Sequence, residues 1–150
     1  MYLHYLLLGI MMLKMSDFIL DWFDIFILEL QELYIPKPDL WEWIWCGSVL
    51  TALLAKKAMA RNNVRTMWTY VVLVLCTAIG PAVYAQCIYF NDFYTLVSTR
   101  DTSLVARWLQ YPIALLWYIF LAIALQVHIA EVTIAVKLIR AWSIKKSKEQ

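Results

Sequence analysis

The stretch WLQYPIALLWYIFLAIALQVHIAEVTIAV, residues 108–136, carries Glu131 as its one charged side chain, and basic residues follow only from Lys137. An apolar run of this length reads as a membrane span, because about 20 such residues cross a hydrocarbon core of about 30 Å. Taken as one helix from Trp108 to Trp142, the segment would be about 52 Å long, so its end should project into water. The apolar positions Val132, Val136 and Ile139, with Lys137 and Arg140 turned away, predict a surface-lying or partner-binding extension.

The rest of the chain supports a bilayer as its solvent. Of 150 residues, 63% are hydrophobic and 16% are charged. A soluble domain carries about 45–50% apolar and about 25% charged residues, and one small domain cannot bury such an excess. Disorder needs the opposite composition, and 3 Gly and 4 Pro leave no room for fibrous or linker-like classes. The 8 Trp and 9 Tyr suit a protein with two membrane boundaries to fill. Three cysteines, Cys46, Cys76 and Cys87, match no metal or redox spacing, and no disulfide framework is expected.

Three further spans are predicted. Met1 to Leu13 has no preceding Lys or Arg and no small-residue cleavage site, so it is expected to be retained rather than removed as a signal peptide. Its apolar part, Tyr2 to Leu13, is short for a span. Extension to about residue 20 brings in Lys14 and Asp17, which are three apart and can pair. Over residues 17–35, Asp17, Asp21, Asp24 and Gln31 form a polar stripe against Phe18, Phe23, Phe26, Ile27, Leu30 and Tyr34, the pattern of an amphipathic interfacial helix. Pro36 and Pro38 end it. Residues 40–55 open with Trp41, Trp43 and Trp45 as a boundary belt, and residues 67–89 contain Gly80-Pro81, which should kink or locally break the helix. Residues 91–107 read as a polar loop of balanced charge, and the fourth span covers about 108–130.

Charge fixes the orientation. The turn with Lys56, Lys57, Arg61 and Arg65 has no acid, and the tail 137–150 sets Lys137, Arg140, Lys145, Lys146 and Lys148 against Glu149. The segment from Asp17 to Glu42 holds seven acids against Lys37 alone. Lys and Arg accumulate on the cytoplasmic side, so turn and tail belong there and the helix 17–35 in the lumen, which four spans allow and three do not. The expectation is an all-α membrane protein with four transmembrane helices, a lumenal amphipathic helix and a long last helix extending into the cytosol.

Little in the sequence points to catalysis. There is no glycine-rich phosphate loop and no Gly-x-Ser-x-Gly. Glu42 reads as an interfacial acid among tryptophans. His128 and Glu131 share a helix face three residues apart, but a metal site needs more ligands and His4 is the only other histidine, so the expectation is an interfacial pair with no metal, cofactor or catalytic residue. A small transporter or channel subunit would line a path with Glu42, Gln126 and His128. A membrane enzyme built on His128 and Glu131 would need a further polar group beside them. The basic turn is too short to suggest nucleic-acid binding.

The chain ends Lys146-Ser147-Lys148-Glu149-Gln150, with lysines third and fifth from the terminus. This fits the Lys-x-Lys-x-x form of the dilysine retrieval signal read by the COPI coat (coatomer), which a cytosolic tail could present. Dispersed motifs then run in order along the chain: Lys14-Met15-Ser16, Trp41-Glu42, Arg61-Asn62-Asn63, Gly80-Pro81 with Tyr84, Gln126-Val127-His128, and Lys137-Leu138 with Trp142. In that order and spacing the chain resembles the Jagunal family of endoplasmic-reticulum membrane proteins. Family members carry a polar, basic segment before the first span, and this sequence begins inside that span. A truncated gene model or a shortened isoform would account for the difference.

The resemblance implies a multi-pass protein of the endoplasmic reticulum that supports reticulum organisation and vesicle-mediated transport in the early secretory pathway. Its implied role is that of a non-catalytic adaptor. Its expected partners are the lipid bilayer, COPI coat subunits met first by Lys146 and Lys148, and an unidentified secretory cargo.

Overall fold

A computed structural model describes residues 2–148 of the chain, with side chains described for 2–145. Four helical passes run back and forth: α1 (Tyr2–Trp22), the pair α3 (Leu40–Gly47) and α4 (Val49–Ala60), the pair α5 (Val64–Val74) and α6 (Gly80–Ile88), and α8 (Ile113–Lys148). Between them lie the single turn α2 (Leu28–Gln31), α7 (Phe90–Thr99), a 3₁₀ turn at Thr102–Leu104, and a hairpin of β1 (Arg107–Trp108) with β2 (Tyr111–Pro112). Among the described residues, three segments are long and apolar enough to cross a membrane: Tyr2–Trp22, Val64–Ile88 and Ile113–Lys145. The second pass is broken at Ser48, between α3 and α4.

Unlike a soluble bundle, the structure is apolar on its outside as well as in its core. Leu3, Leu6, Ile10, Leu50, Leu53, Ile119, Ile123 and Ile129 face outward, while His4, Glu42, Ser48, Thr51 and His128 are buried. Small residues line the interior, among them Ala52, Ala55, Ala58, Ala78, Ala82, Ala85, Ala124 and Ala135. Membrane helices pack through small residues and satisfy polar groups inward, because lipid competes for apolar side chains and offers nothing to polar ones. The buried face of α1 is His4, Leu7, Met11 and Met15, at spacings of three and four.

The third pass stays continuous through Gly80-Pro81 by widening. Leu75–Ile79 form a π turn, and the Gly80 backbone N–H reaches back five residues to Leu75 O. Proline has no N–H and crowds the carbonyl four residues earlier, and the wider turn relieves that crowding. A Cβ on Gly80 would lie 3.2 Å from Leu75 O, so glycine suits the position.

Several expectations change. Residues 17–35 do not form one amphipathic helix: α1 takes residues up to Trp22, Asp24 turns at φ 61°, and only Leu28–Gln31 is helical beyond it. Ile19, four residues after buried Met15, still packs on the core, and α1 runs through Asp17 without restarting there. Residues 91–107 are largely helical, because α7 packs Phe93 flat on Tyr118 at 4.0 Å between ring centroids. The last helix begins at Ile113 rather than near Trp108, whose indole N–H donates to Leu33 O at 2.8 Å from the hairpin. Two of the three belt tryptophans turn inward: Trp41 and Trp45, four apart, share the buried face of α3, and Trp43 lies opposite. The apolar stripe beyond Glu131 is not left for a partner. Ala135 and Ile139 are buried, with Val132, Leu138 and Trp142 packed beside them in the same core as Ala55, Ala58 and Met67 of the α4–α5 hairpin.

Candidate functional site

Two polar centres lie inside the bundle. The first joins α1 to α3. Lys14 Nζ donates to both oxygens of Glu42 at 2.8 and 2.7 Å, and Glu42 is 1% exposed. The Asp39 backbone N–H donates to Glu42 Oε1 at 3.2 Å, the return half of a capping box, and the Lys14 ammonium lies 5.5 Å from the Trp117 ring centroid. Glu42 is therefore the buried partner of Lys14, and Lys14 turns to it rather than to Asp17. Lys14 lies three residues beyond Met11, on the edge of the buried α1 face, where its ammonium can reach across to α3.

The second centre joins α1, the Ser48 break and α8. His4 Nδ1 is 3.5 Å and His128 Nδ1 3.3 Å from the same Glu131 oxygen, Oε2. His4 Nε2 is hydrogen-bonded to Ser48 Oγ at 3.0 Å. The two imidazoles meet edge to face at 4.7 Å, and Trp45 packs against both, at 5.9 and 5.7 Å between centroids. His4 and His128 are 2% and 0% exposed, and His128 Nε2 has no hydrogen-bond partner. The ligand atoms of His4, His128 and Glu131 all lie within 4.8 Å of one another, so these three residues could hold a metal ion or share a proton.

The further polar groups missing beside His128 and Glu131 in the sequence are thus His4 and Ser48. The signal for His4 was its place in the buried stripe of α1, three residues before Leu7. Nothing local singles out Ser48, whose role depends on a helix break opposite another element. Gln126 faces outward, so Glu42, Gln126 and His128 do not line one path.

The predicted basic turn is a well-formed corner. Lys56 and Lys57 lie in the last turns of α4, and Arg61, Arg65 and both lysines are exposed. Asn62 turns the chain at φ 47°, and the Asn63 side chain accepts the Thr66 N–H at 3.1 Å to start α5. Lys56 Nζ sits 5.6 Å from the Tyr5 ring centroid, and Lys137 and Arg140 are exposed on the α8 stretch that packs on this hairpin. The side chains of Lys146 and Lys148 lie outside those described. Outside the membrane-spanning segments, hydrogen bonds from Ser103 hold the Asp101 carboxyl below the usual carboxylate range.

A helical membrane bundle with apolar outer faces and paired polar groups within is the class this architecture defines. The chain belongs to the Jagunal family: residues 1–146 match the family described as "Jagunal, ER re-organisation during oogenesis". It is similar to Protein jagunal of Drosophila melanogaster, 37% identical over 150 residues that cover 96% of this chain and 76% of the fly protein. Protein jagunal of Drosophila pseudoobscura pseudoobscura is 36% identical over the same shares. The Protein jagunal homolog of Caenorhabditis briggsae is 26% identical over 151 residues, covering 93% and 75%.

Proposed function

We propose that this protein helps organise the endoplasmic reticulum, acting within its membrane as a non-catalytic adaptor between the bilayer and the cytosolic transport machinery. The family's description supports the reticulum role. One structural observation carries the adaptor reading: the basic α4–α5 corner and the distal half of α8 pack against each other at one end of the bundle, around Met59, Met67 and Leu138. At the other end, Trp108 meets Leu33, and Tyr89 OH donates to Asp39 Oδ2 at 3.1 Å, close to the acidic segment.

All four helical passes then cross the bilayer, the second as a span broken at Ser48, with the basic end cytosolic and the acidic segment lumenal. The tail offers Lys146 and Lys148 to the COPI coat, and secretory cargo or lipid meets the lumenal side. Small-transporter and channel readings lose support from the outward position of Gln126.

The test is Lys146→Ser combined with Lys148→Ser in the tagged full chain. Escape of the double variant from the reticulum is the expected result, and unchanged localisation overturns the retrieval reading. Protease protection of a carboxyl-terminal tag in sealed vesicles reads the orientation: a protected tag with cytosol outside overturns it.

A further inference from the structure

From the second polar centre, we infer that His4, His128 and Glu131 form a binding site for a divalent transition-metal ion of the zinc type, with one coordination position left open. The inference is independent of how the tail is read.

The donor set is two imidazoles and one carboxylate, which is borderline-soft and suits zinc in an open, four-coordinate site. The two spacings to the carboxylate agree with it, inside an outer bound of 4.8 Å for the whole donor set. Two ligands about 2.0–2.1 Å from a common ion at the tetrahedral angle lie about 3.3–3.4 Å apart. The two imidazole-to-carboxylate distances are 3.5 and 3.3 Å. Both separations exceed the about 2.7–2.9 Å of a closed charge-assisted hydrogen bond, and at 3.3 Å His128 Nδ1 is hydrogen-bonded to Glu131 Oε2.

The surroundings are those of a built site. Ligating histidines commonly direct their second nitrogen to an oxygen that fixes ring orientation and tautomer, and His4 has Ser48 Oγ in that place at 3.0 Å. With Nε2–H donating to Ser48, the His4 lone pair sits on Nδ1 and faces Glu131. His128 has no partner at Nε2, which leaves Nδ1, also facing Glu131, as its only polar engagement.

The carboxylate is open on one side. A cavity of about 110 Å³ runs beside Glu131, lined by Tyr70, Met67, Met59 and Ile134. It has room for water against the Glu131 carboxylate. Its rim, at exposed Met59 and Ile134, lies next to the basic corner.

The experiment uses the full chain in nanodiscs, purified through a tag without histidines and equilibrated with micromolar zinc, then washed and assayed for bound metal. One zinc per chain is expected, with Co²⁺ in its place giving the intense visible absorption of a tetrahedral site. His4→Gln, His128→Gln and Glu131→Gln each reduce retained zinc at least tenfold, and Ser48→Ala weakens it roughly tenfold through His4. No zinc in the wild-type protein, or an octahedral cobalt spectrum, overturns the site. Equal zinc in the wild-type protein and His4→Gln/His128→Gln identifies surface binding and overturns it too. If a histidine variant does not fold, the wild-type stoichiometry and cobalt spectrum decide.

Discussion

Replacing Lys14 by methionine should destabilise this bundle more than any substitution of an outward-facing leucine. Lys14 Nζ is the donor to both oxygens of a carboxylate that is 1% exposed, and without it only the Asp39 N–H at 3.2 Å still addresses that group. Removing one member of a buried ion pair destabilises by roughly 3–5 kcal/mol, because the remaining charge stays desolvated. For a chain of this size, that lowers the thermal midpoint on the order of 10 °C. Adding Glu42→Gln should recover more than half of the loss: the amide oxygen can still accept the Asp39 N–H, and no charge remains buried. The assay is thermal unfolding of the monodisperse protein in nanodiscs, read for the wild type, both single variants and the double. A Lys14→Met midpoint within about 2 °C of wild type, or a double variant no better than that single, would refute the buried-pair argument.

Other consequences are smaller and local. Asn63→Ala removes the cap on α5 and should destabilise by about 1 kcal/mol, while Asn63→Asp stays near wild type in the same assay. Gly80→Ala should lower the midpoint and forgo the gain of about 1 kcal/mol that alanine brings inside an ordinary helix, because Leu75 O is held by the Gly80 N–H; a rise of that size refutes the π turn. The Asp101 carboxyl, held below its ordinary range, supports its turn above that range and loses the contribution as pH falls through its lowered titration. The Ser103 amide, 2.8 Å from Asp101 Oδ1, should accordingly lose hydrogen-exchange protection at acid pH, after correction for intrinsic exchange.

The outline of this fold is written in local patterns, and its polar centres are not. Apolar run length exposes three long segments, and turn chemistry at Asn62-Asn63 marks the corner between the second and third passes. Pro81 announces a disturbance, although its solution as a π turn depends on a carbonyl five residues before Gly80. Lys14 could pair with Asp17 on its own helix, and sequence spacing alone favours that local partner. The winner is Glu42, 28 residues away, because α1 and α3 face each other with both groups inside. His4 looks isolated for the same reason: its companions Ser48, His128 and Glu131 come from two other passes. Even the tryptophans at 41, 43 and 45 alternate faces in a way that composition cannot resolve, since a helix puts 41 and 45 together and 43 across from them.

The final helix runs unbroken from Ile113 to Lys148, about 54 Å at a regular rise. Such a rod is a mast and not a tether. The α4–α5 hairpin stays it as far as Trp142, so whatever meets the helix beyond that point meets it on a set bearing beside the basic corner rather than within a roaming volume. Each residue inserted or deleted between Glu131 and Lys145 shifts the tip of the helix by about 1.5 Å and swings it by about 100°, so length here is a matter of azimuth as much as of reach.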